Sequence, residues 1–263
     1  MTDVGASGAS YEAAYRVRFD EAGPDGRLRT SGLLRWTQDL AARHSDALGY
    51  DRAWYRERGL TWLVRTAELE IRAPLRYGTE VLGATRVMGF RRVWSRREST
   101  FSVGTDLAAI VRIDWVLLDE RGTPTRIPSE FEVFFRSSGP SAGLQLGRVA
   151  IGEPPVEAGR RTIAVRPQEL DPLDHVNNAV YADWFDEAVL AAAGGDGTPA
   201  VRGLPRRVRL EYALAAEPGE ELETVTWQED DGWSCAVRRA ADSADLLRAR
   251  LEVAGELPRP AGV

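Results

Sequence analysis

The sequence predicts an α+β protein made of two similar halves, a double arrangement in which each half is a long helix wrapped by a curved antiparallel sheet. Three observations lead there. The order strand, loop, long helix, run of strands occurs twice, at a period of roughly 140 residues. Each long helix is followed by several strand-like segments with no second long helix among them, the pattern of an antiparallel sheet rather than a βαβ array. Residues 136–160 are rich in Gly, Pro and Ser and read as a connector between the two runs.

The first half starts with small, polar residues over 1–10, expected to form a disordered tail. Residues 15–22 alternate in polarity as a strand does. A helix is expected over 30–49. Thr30 or Ser31 can cap its start, Leu33, Trp36, Leu40, Ala41, His44 and Leu48 share one face, and Gly49 stands where a glycine ends a helix. On that apolar face His44 reads as a buried, hydrogen-bonded core residue. A short helix over 51–59 precedes four strands, over 60–73, 79–90, 91–103 and 108–120, and residues 121–131 close the half.

The order then restarts. A strand is expected over 161–170, a helix over 176–195 that ends in glycines, and strands over 204–216, 220–230, 232–241 and 244–254. Identity between the halves is low. Aligning Trp36 with Trp184 sets Asp171 against Gly23 and His175 against Arg27. The resulting organisation is a tail over 1–10, a first half over 11–137, a linker over 138–160, a second half over 161–257 and a tail over 258–263.

Composition excludes several functions. The chain has no lysine, so all 34 basic residues are arginine, and neither a Schiff-base lysine nor a P-loop lysine is available. Base composition of the gene is the simplest source of that bias. A net charge of -6 argues against a general nucleic-acid binder. One cysteine and two distant histidines cannot build a common zinc site. Carboxylate-only Mg or Ca sites stay open, but no EF-hand spacing occurs. No secretory signal and no apolar run of the roughly 20 residues that span a bilayer is present, and the lone Cys235 fits a cytoplasmic protein.

One stretch concentrates rare residues. Residues 171–181, Asp-Pro-Leu-Asp-His-Val-Asn-Asn-Ala-Val-Tyr, hold the only two asparagines of the chain and one of its two histidines. Asp171 precedes the start of a helix. A carboxylate there can attack a thioester or activate water, and free N–H groups at the helix start can hold the oxyanion that develops. His175 can hydrogen-bond the carbonyl or orient Asp171, and Asn177 and Asn178 can fix the loop or the substrate. Asp and Asn also cap helices without any catalysis. Four such groups together favour a catalytic turn, whereas Asp174 reads as a solvated turn residue. The pairs Arg91-Arg92, Arg96-Arg97 and Arg206-Arg207 can meet phosphates or an acidic partner, or simply form a solvated strand face.

The pattern D-x-x-D-H-V-N-N-x-x-Y-x-x-W-x-x-E from Asp171 to Glu187 resembles the signature of hotdog-fold thioesterases. Segments of the first half, among them residues 30–49, 61–81, 89–98, 114–119 and 126–131, narrow the resemblance to the acyl-ACP thioesterases, tandem hotdogs that release fatty acids from acyl carrier protein. It covers nearly the whole chain beyond the tail. The resemblance implies a cytoplasmic hydrolase without metal or organic cofactor, acting as monomer or homodimer on an acyl carrier protein or coenzyme A thioester. Asp171, His175 and Asn177 would be catalytic. Val176, Asn178, Trp36, Arg91 and Arg92 would bind substrate, and Glu187 would support the helix by a hydrogen bond. The first half, which lacks the cluster, would supply the acyl pocket. The chain departs from the family where the motif asparagine meets Leu173, and where an acidic residue and a cysteine meet Ala215 and Ala216, with Glu217 just beyond. A cysteine nucleophile is therefore excluded. Alternatives are a non-hydrolytic acyl-thioester-binding hotdog protein and a hotdog hydratase or dehydratase.

Overall fold

The computed structural model describes residues 3–7, 10–131, 147–194, 198–230 and 232–253. The chain divides into two compact units, residues 1–67 with 75–147, and residues 68–74 with 148–263.

In the first unit a helix, α1 (Thr30–Ala47), packs on antiparallel strands. The sheet runs β1 (Asp3–Ser7), β2 (Ser10–Arg16), β4 (Glu80–Arg91), β5 (Trp94–Val103), β6 (Asp106–Leu118), followed by β3 (Thr61–Ile71). Alternation explains the packing. Tyr11, Ala13 and Tyr15 are the buried row of β2, and Tyr15 stacks on Trp36 of α1 with ring centroids 4.9 Å apart. The short helix α2 (Arg52–Glu57) is capped by Asp51, whose carboxylate accepts the Trp54 N–H at 2.8 Å.

The second unit repeats the design. Helix α3 (Asn178–Ala193) lies on the sheet β8 (Arg206–Tyr212), β11 (Asp245–Val253), β10 (Gly232–Arg239), β9 (Glu221–Glu229), β7 (Gly159–Ala164). A short helix, α4, spans Thr198–Arg202. Gly194, at φ +64°, ends α3 in the left-handed region that a side chain would disfavour.

Four expectations are corrected. Residues Asp3–Ser7, expected in a disordered tail, form a strand paired with β2, because small residues can join a sheet through backbone bonds with little alternation to announce it. The first long strand is Ser10–Arg16 rather than 15–22, and Phe19–Glu21 is a 3₁₀ turn. Neither Thr30 nor Ser31 caps α1; Arg29 holds that position without a side-chain bond, and both hydroxyl residues are buried in the first turn. Within the linker, residues 147–158 have no regular secondary structure and β7 starts at Gly159. Residues 138–146 and the tail 258–263 lie outside the described residues.

Candidate functional site

The turn before α3 is built by backbone bonds. The Asp171 N–H donates to the His175 carbonyl at 2.8 Å, and the Asp174 N–H to the Asp171 carbonyl at 2.9 Å. Leu170 and Val176 form an isolated bridge at its base. The first unit makes the same turn. Gly23 donates to Arg27 at 2.8 Å, Gly26 to Gly23 at 2.9 Å, and Ala22 bridges Leu28. Trp36 Nε1 donates to Glu21 and Trp184 Nε1 to Glu169. The alignment of Asp171 with Gly23 and of His175 with Arg27 therefore holds in space. The corner is Gly26 at φ +69° in one unit and Asp174 at φ +61° in the other.

In the second unit this turn carries the aspartate and histidine that the first unit replaces by Gly23 and Arg27. Asp171 is half-buried, and its Oδ1 accepts the Leu173 N–H at 2.8 Å, the bond of an Asx turn. That fixes one carboxylate oxygen and leaves Oδ2 without a donor among the described residues. The His175 ring is half-buried and likewise has no hydrogen-bond partner among them. Asn177 is the N-cap of α3: its Oδ1 accepts the Ala179 N–H at 2.9 Å and its carbonyl the Val180 N–H at 2.8 Å.

Two amides next to the helix start are engaged. Asn177 N–H donates to Glu169 at 2.9 Å, and Val176 N–H to Ala216 at 3.3 Å. Asn178 N–H, the first of the helix proper, has no acceptor among the described residues. A free amide at the positive end of a helix dipole is an anion donor. The turn thus places a carboxylate, an imidazole and a free amide within one short segment.

The other expected site residues are placed as follows. Trp36 is 4% exposed and belongs to the core of the first unit, between Tyr15 and Phe101. Arg91 and Arg92 sit exposed at the β4–β5 hairpin of that unit, Arg92 at φ +55°. Val176 is 3% exposed, and its N–H is already engaged. Glu187 is exposed and pairs with Arg161 of β7 at 2.9 Å, a strand contact rather than the helix-orienting bond expected. Glu217 is exposed on the loop after β8, with its N–H donating to Glu220 at 2.9 Å.

Two tyrosines were missed by the sequence reading. The Tyr181 hydroxyl accepts the Ala216 N–H at 2.9 Å, while the Tyr212 hydroxyl donates to the Asn178 carbonyl at 3.0 Å. They bracket the loop and the helix start. Burial pushes the Tyr181 phenol up to about 12 and raises Tyr212 as well, so both stay protonated at neutral pH. The spacing of Tyr181 in the motif was the available signal. Its counterpart in the first unit is Leu33, and that unit joins Leu28 N–H to Leu75 at 2.8 Å without any hydroxyl. Among the described residues no group of three or more His, Cys, Asp or Glu is arranged to hold a metal. No described helix is long and apolar enough to cross a membrane.

Comparison with known proteins fixes the family. Residues 8–133 match the acyl-ACP thioesterase N-terminal domain, and residues 152–250 match the C-terminal domain. The chain belongs to the acyl-ACP thioesterase family. With the family come the hotdog fold and the class of chemistry, hydrolysis of acyl thioesters. Among solved structures of this fold, a provisionally named oleoyl thioesterase of Lactobacillus plantarum is 20% identical, with a TM-score of 0.80 over 96% of this chain and 99% of that one. The 12:0-ACP thioesterase of Umbellularia californica is 18% identical, with a TM-score of 0.75 over 94% and 98%. An uncharacterized protein of Mycobacterium tuberculosis is 23% identical over 234 residues, 86% of this chain and 85% of its own.

Proposed function

We propose that this thioesterase hydrolyses fatty acyl-ACP to free fatty acid, with acyl-coenzyme A thioesters, which share the pantetheine arm, as a secondary substrate class. The observation that carries the assignment of roles is that the Asp171 carboxylate and the free Asn178 N–H stand on one turn, where the first unit has Gly23 in place of Asp171.

The roles follow from charge. Asp171 Oδ2 takes a proton from water as the water oxygen adds to the thioester carbonyl carbon, or adds to that carbon itself to give, once the thiolate has left, an acyl-aspartyl anhydride that a water molecule then hydrolyses to free fatty acid and the restored carboxylate. Either way negative charge moves to the carbonyl oxygen. The Asn178 N–H and the helix dipole meet it there, and one such donor is worth on the order of 10²–10³ in rate. Collapse breaks the C–S bond, and the thiolate leaves to take up a proton. The His175 ring supplies a hydrogen bond to the carbonyl or holds Asp171 in place. Asn177 acts through the helix it caps. The family acid missing at Ala215 is not replaced by Glu217, which points its loop position toward solvent; the mechanism therefore rests on one carboxylate.

The test is a panel of acyl-ACP and acyl-coenzyme A thioesters incubated with the purified protein, followed by thiol release and product mass. Free acid and thiol, formed faster from acyl-ACP, support the proposal. Tight binding without turnover identifies a binding protein instead, and a mass change of one water with the thioester intact identifies a hydratase.

A further inference from the structure

The second unit is hollow where the first is filled. A cavity of about 130 Å³ lies between α3 and strand β7, with Gly159, Ala188, Ala191 and Ala192 in its lining. The register of the two units shows which side chains are missing. Tyr11 pairs with Thr85 in the first sheet, and Gly159 with Thr226 in the second. Thr85 in turn faces Ser99, and Thr226 faces Cys235. Tyr11 therefore corresponds to Gly159. Counted along the helices from Trp36 and Trp184, Leu40 corresponds to Ala188 and His44 to Ala192. In the first unit Tyr11, Leu40 and His44 are all buried, and the rings of Tyr11 and His44 stack at 6.0 Å. Three large core side chains are thus reduced to Gly, Ala and Ala at one spot of the second unit.

Such a space lowers stability, because its walls lose contacts that a packed interior keeps. The first unit shows that the fold does not demand it. The rim of the cavity has changed as well. Arg160 and Arg161 line it, and their side chains are 48% and 44% exposed, so the cavity opens to solvent beside them. Their counterparts in the first sheet are Glu12 and Ala13. Arg160 Nη1 pairs with Glu223 and Arg161 Nη2 with Glu187, each at 2.9 Å. Neither glutamate lines the cavity, so the charges that reach it are cationic. The hollow and the two cations occur together, in the same unit and at the same place.

We propose that this cavity binds a short aliphatic carboxylic acid, with its alkyl part between α3 and β7 and its carboxylate at Arg161. An apolar cavity of about 150 Å³ takes up benzene, so the volume here suits an alkyl group of roughly four to six carbons. A guanidinium has five N–H donors, and those that Arg161 does not give to Glu187 can hold the carboxylate by charge-assisted bonds. A longer chain would leave its remaining methylenes in water. The site is separate from the turn at Asp171. Asn178 and Ala188 stand ten residues apart on α3, about 15 Å along its axis. The proposal therefore goes beyond the reading of the chain as a thioesterase and does not rest on it.

The experiment is calorimetric titration of the full chain with hexanoate, hexan-1-ol and acetate. Wild type should bind hexanoate with a dissociation constant on the order of 1 mM, since only a few methylenes are buried. Hexan-1-ol should bind about tenfold more weakly, for want of the charge-assisted bond, and acetate more weakly still. Ala188→Leu, which restores the side chain of the first unit, should weaken hexanoate tenfold or more. Arg161→Gln should lower hexanoate to the affinity of the alcohol and leave the alcohol unchanged. Absence of hexanoate binding well above that concentration, equal affinity for hexanoate and acetate, or wild-type binding by Ala188→Leu overturns the proposal. Asp171→Asn is the control for binding at the turn. Hexanoate affinity that responds to Asp171→Asn and not to Ala188→Leu places the acid there and overturns the proposal. If Ala188→Leu does not fold, Arg161→Gln, at an exposed position, decides: unchanged hexanoate affinity in that variant overturns the proposal.

Discussion

Replacing Tyr181 with phenylalanine separates holding the proposed catalytic turn from holding the fold. The ring stays, with its edge contacts to Trp184 and Tyr212. What disappears is the acceptor of the Ala216 N–H, a bond of 2.9 Å at a residue that is 0% exposed. A buried donor left unsatisfied costs about 1–3 kcal/mol. A chain of this size loses roughly 2–4 °C in Tm per kcal/mol, so the melting temperature should fall by about 2–12 °C. The Ala216 carbonyl is the acceptor for Val176 N–H, one residue before the cap of α3. Loosening it displaces the free amide at Asn178 from the carboxylate at Asp171. At a temperature where the variant is fully folded, kcat should drop about tenfold to hundredfold with a smaller change in KM, because misplacement of reacting groups costs that much. Tyr15→Phe is the internal control. It removes a 2.6 Å bond to Asp39 in the first unit, costs similar stability, and should leave kcat within about twofold. Equal loss of kcat in the two variants, or an unchanged kcat in Tyr181→Phe, would refute the reasoning.

Other outcomes can be checked alongside. Asn177→Ala removes the cap bond to Ala179 and should lose about 1 kcal/mol in urea unfolding, while Asn177→Asp should keep most of it. A cavity of about 130 Å³ lies under α3, lined by Gly159, Ala188, Ala191, Ala192, Thr224 and Thr226, where the first unit has Tyr11 and His44 stacked at 6.0 Å. Partial filling by Ala188→Val should raise stability by about 0.5–1 kcal/mol. Burial pushes the Cys235 thiol and the Tyr181 phenol up to about 12, above their ordinary values. Groups raised in the folded state contribute stability that is full below the unfolded pKa and is lost as pH rises through the folded one. Urea unfolding should therefore show falling stability from about pH 9 toward pH 12, and Cys235→Ala should flatten the early part of that decline.

Much of the site was legible because its signals are local. The only asparagines of the chain beside a histidine marked the turn, and one tryptophan in each helix set the register. Both indoles reach the glutamate that ends the preceding 3₁₀ turn, which is why Trp36 and Trp184 align so well despite low identity. What stayed hidden depends on distant partners. Thr30 and Ser31 resemble caps by type, yet both face the core, and only the packing shows it. The partner of Glu187 is set by strand β7, far away in sequence. Tyr181 and Tyr212 gain meaning only when the loop at Ala216 comes between them. Arg97 reads as one of several strand arginines until its row on β5 is seen to face inward, beside His44. The assignment of residues 68–74 to the second unit, likewise, is a matter of long-range contact that no local pattern carries.

The most direct measurement is the single-turnover cleavage rate of an acyl-ACP thioester by Asp171→Asn beside wild type, with the melting temperature of both. The amide keeps the size of the carboxylate and an oxygen for the Leu173 N–H, so the turn should persist and Tm should stay within a few degrees of wild type. A carboxylate that acts as base or nucleophile predicts a fall in rate on the order of 10³ or more. A folded Asp171→Asn protein that cleaves within about tenfold of wild type would show that this turn does not perform the reaction.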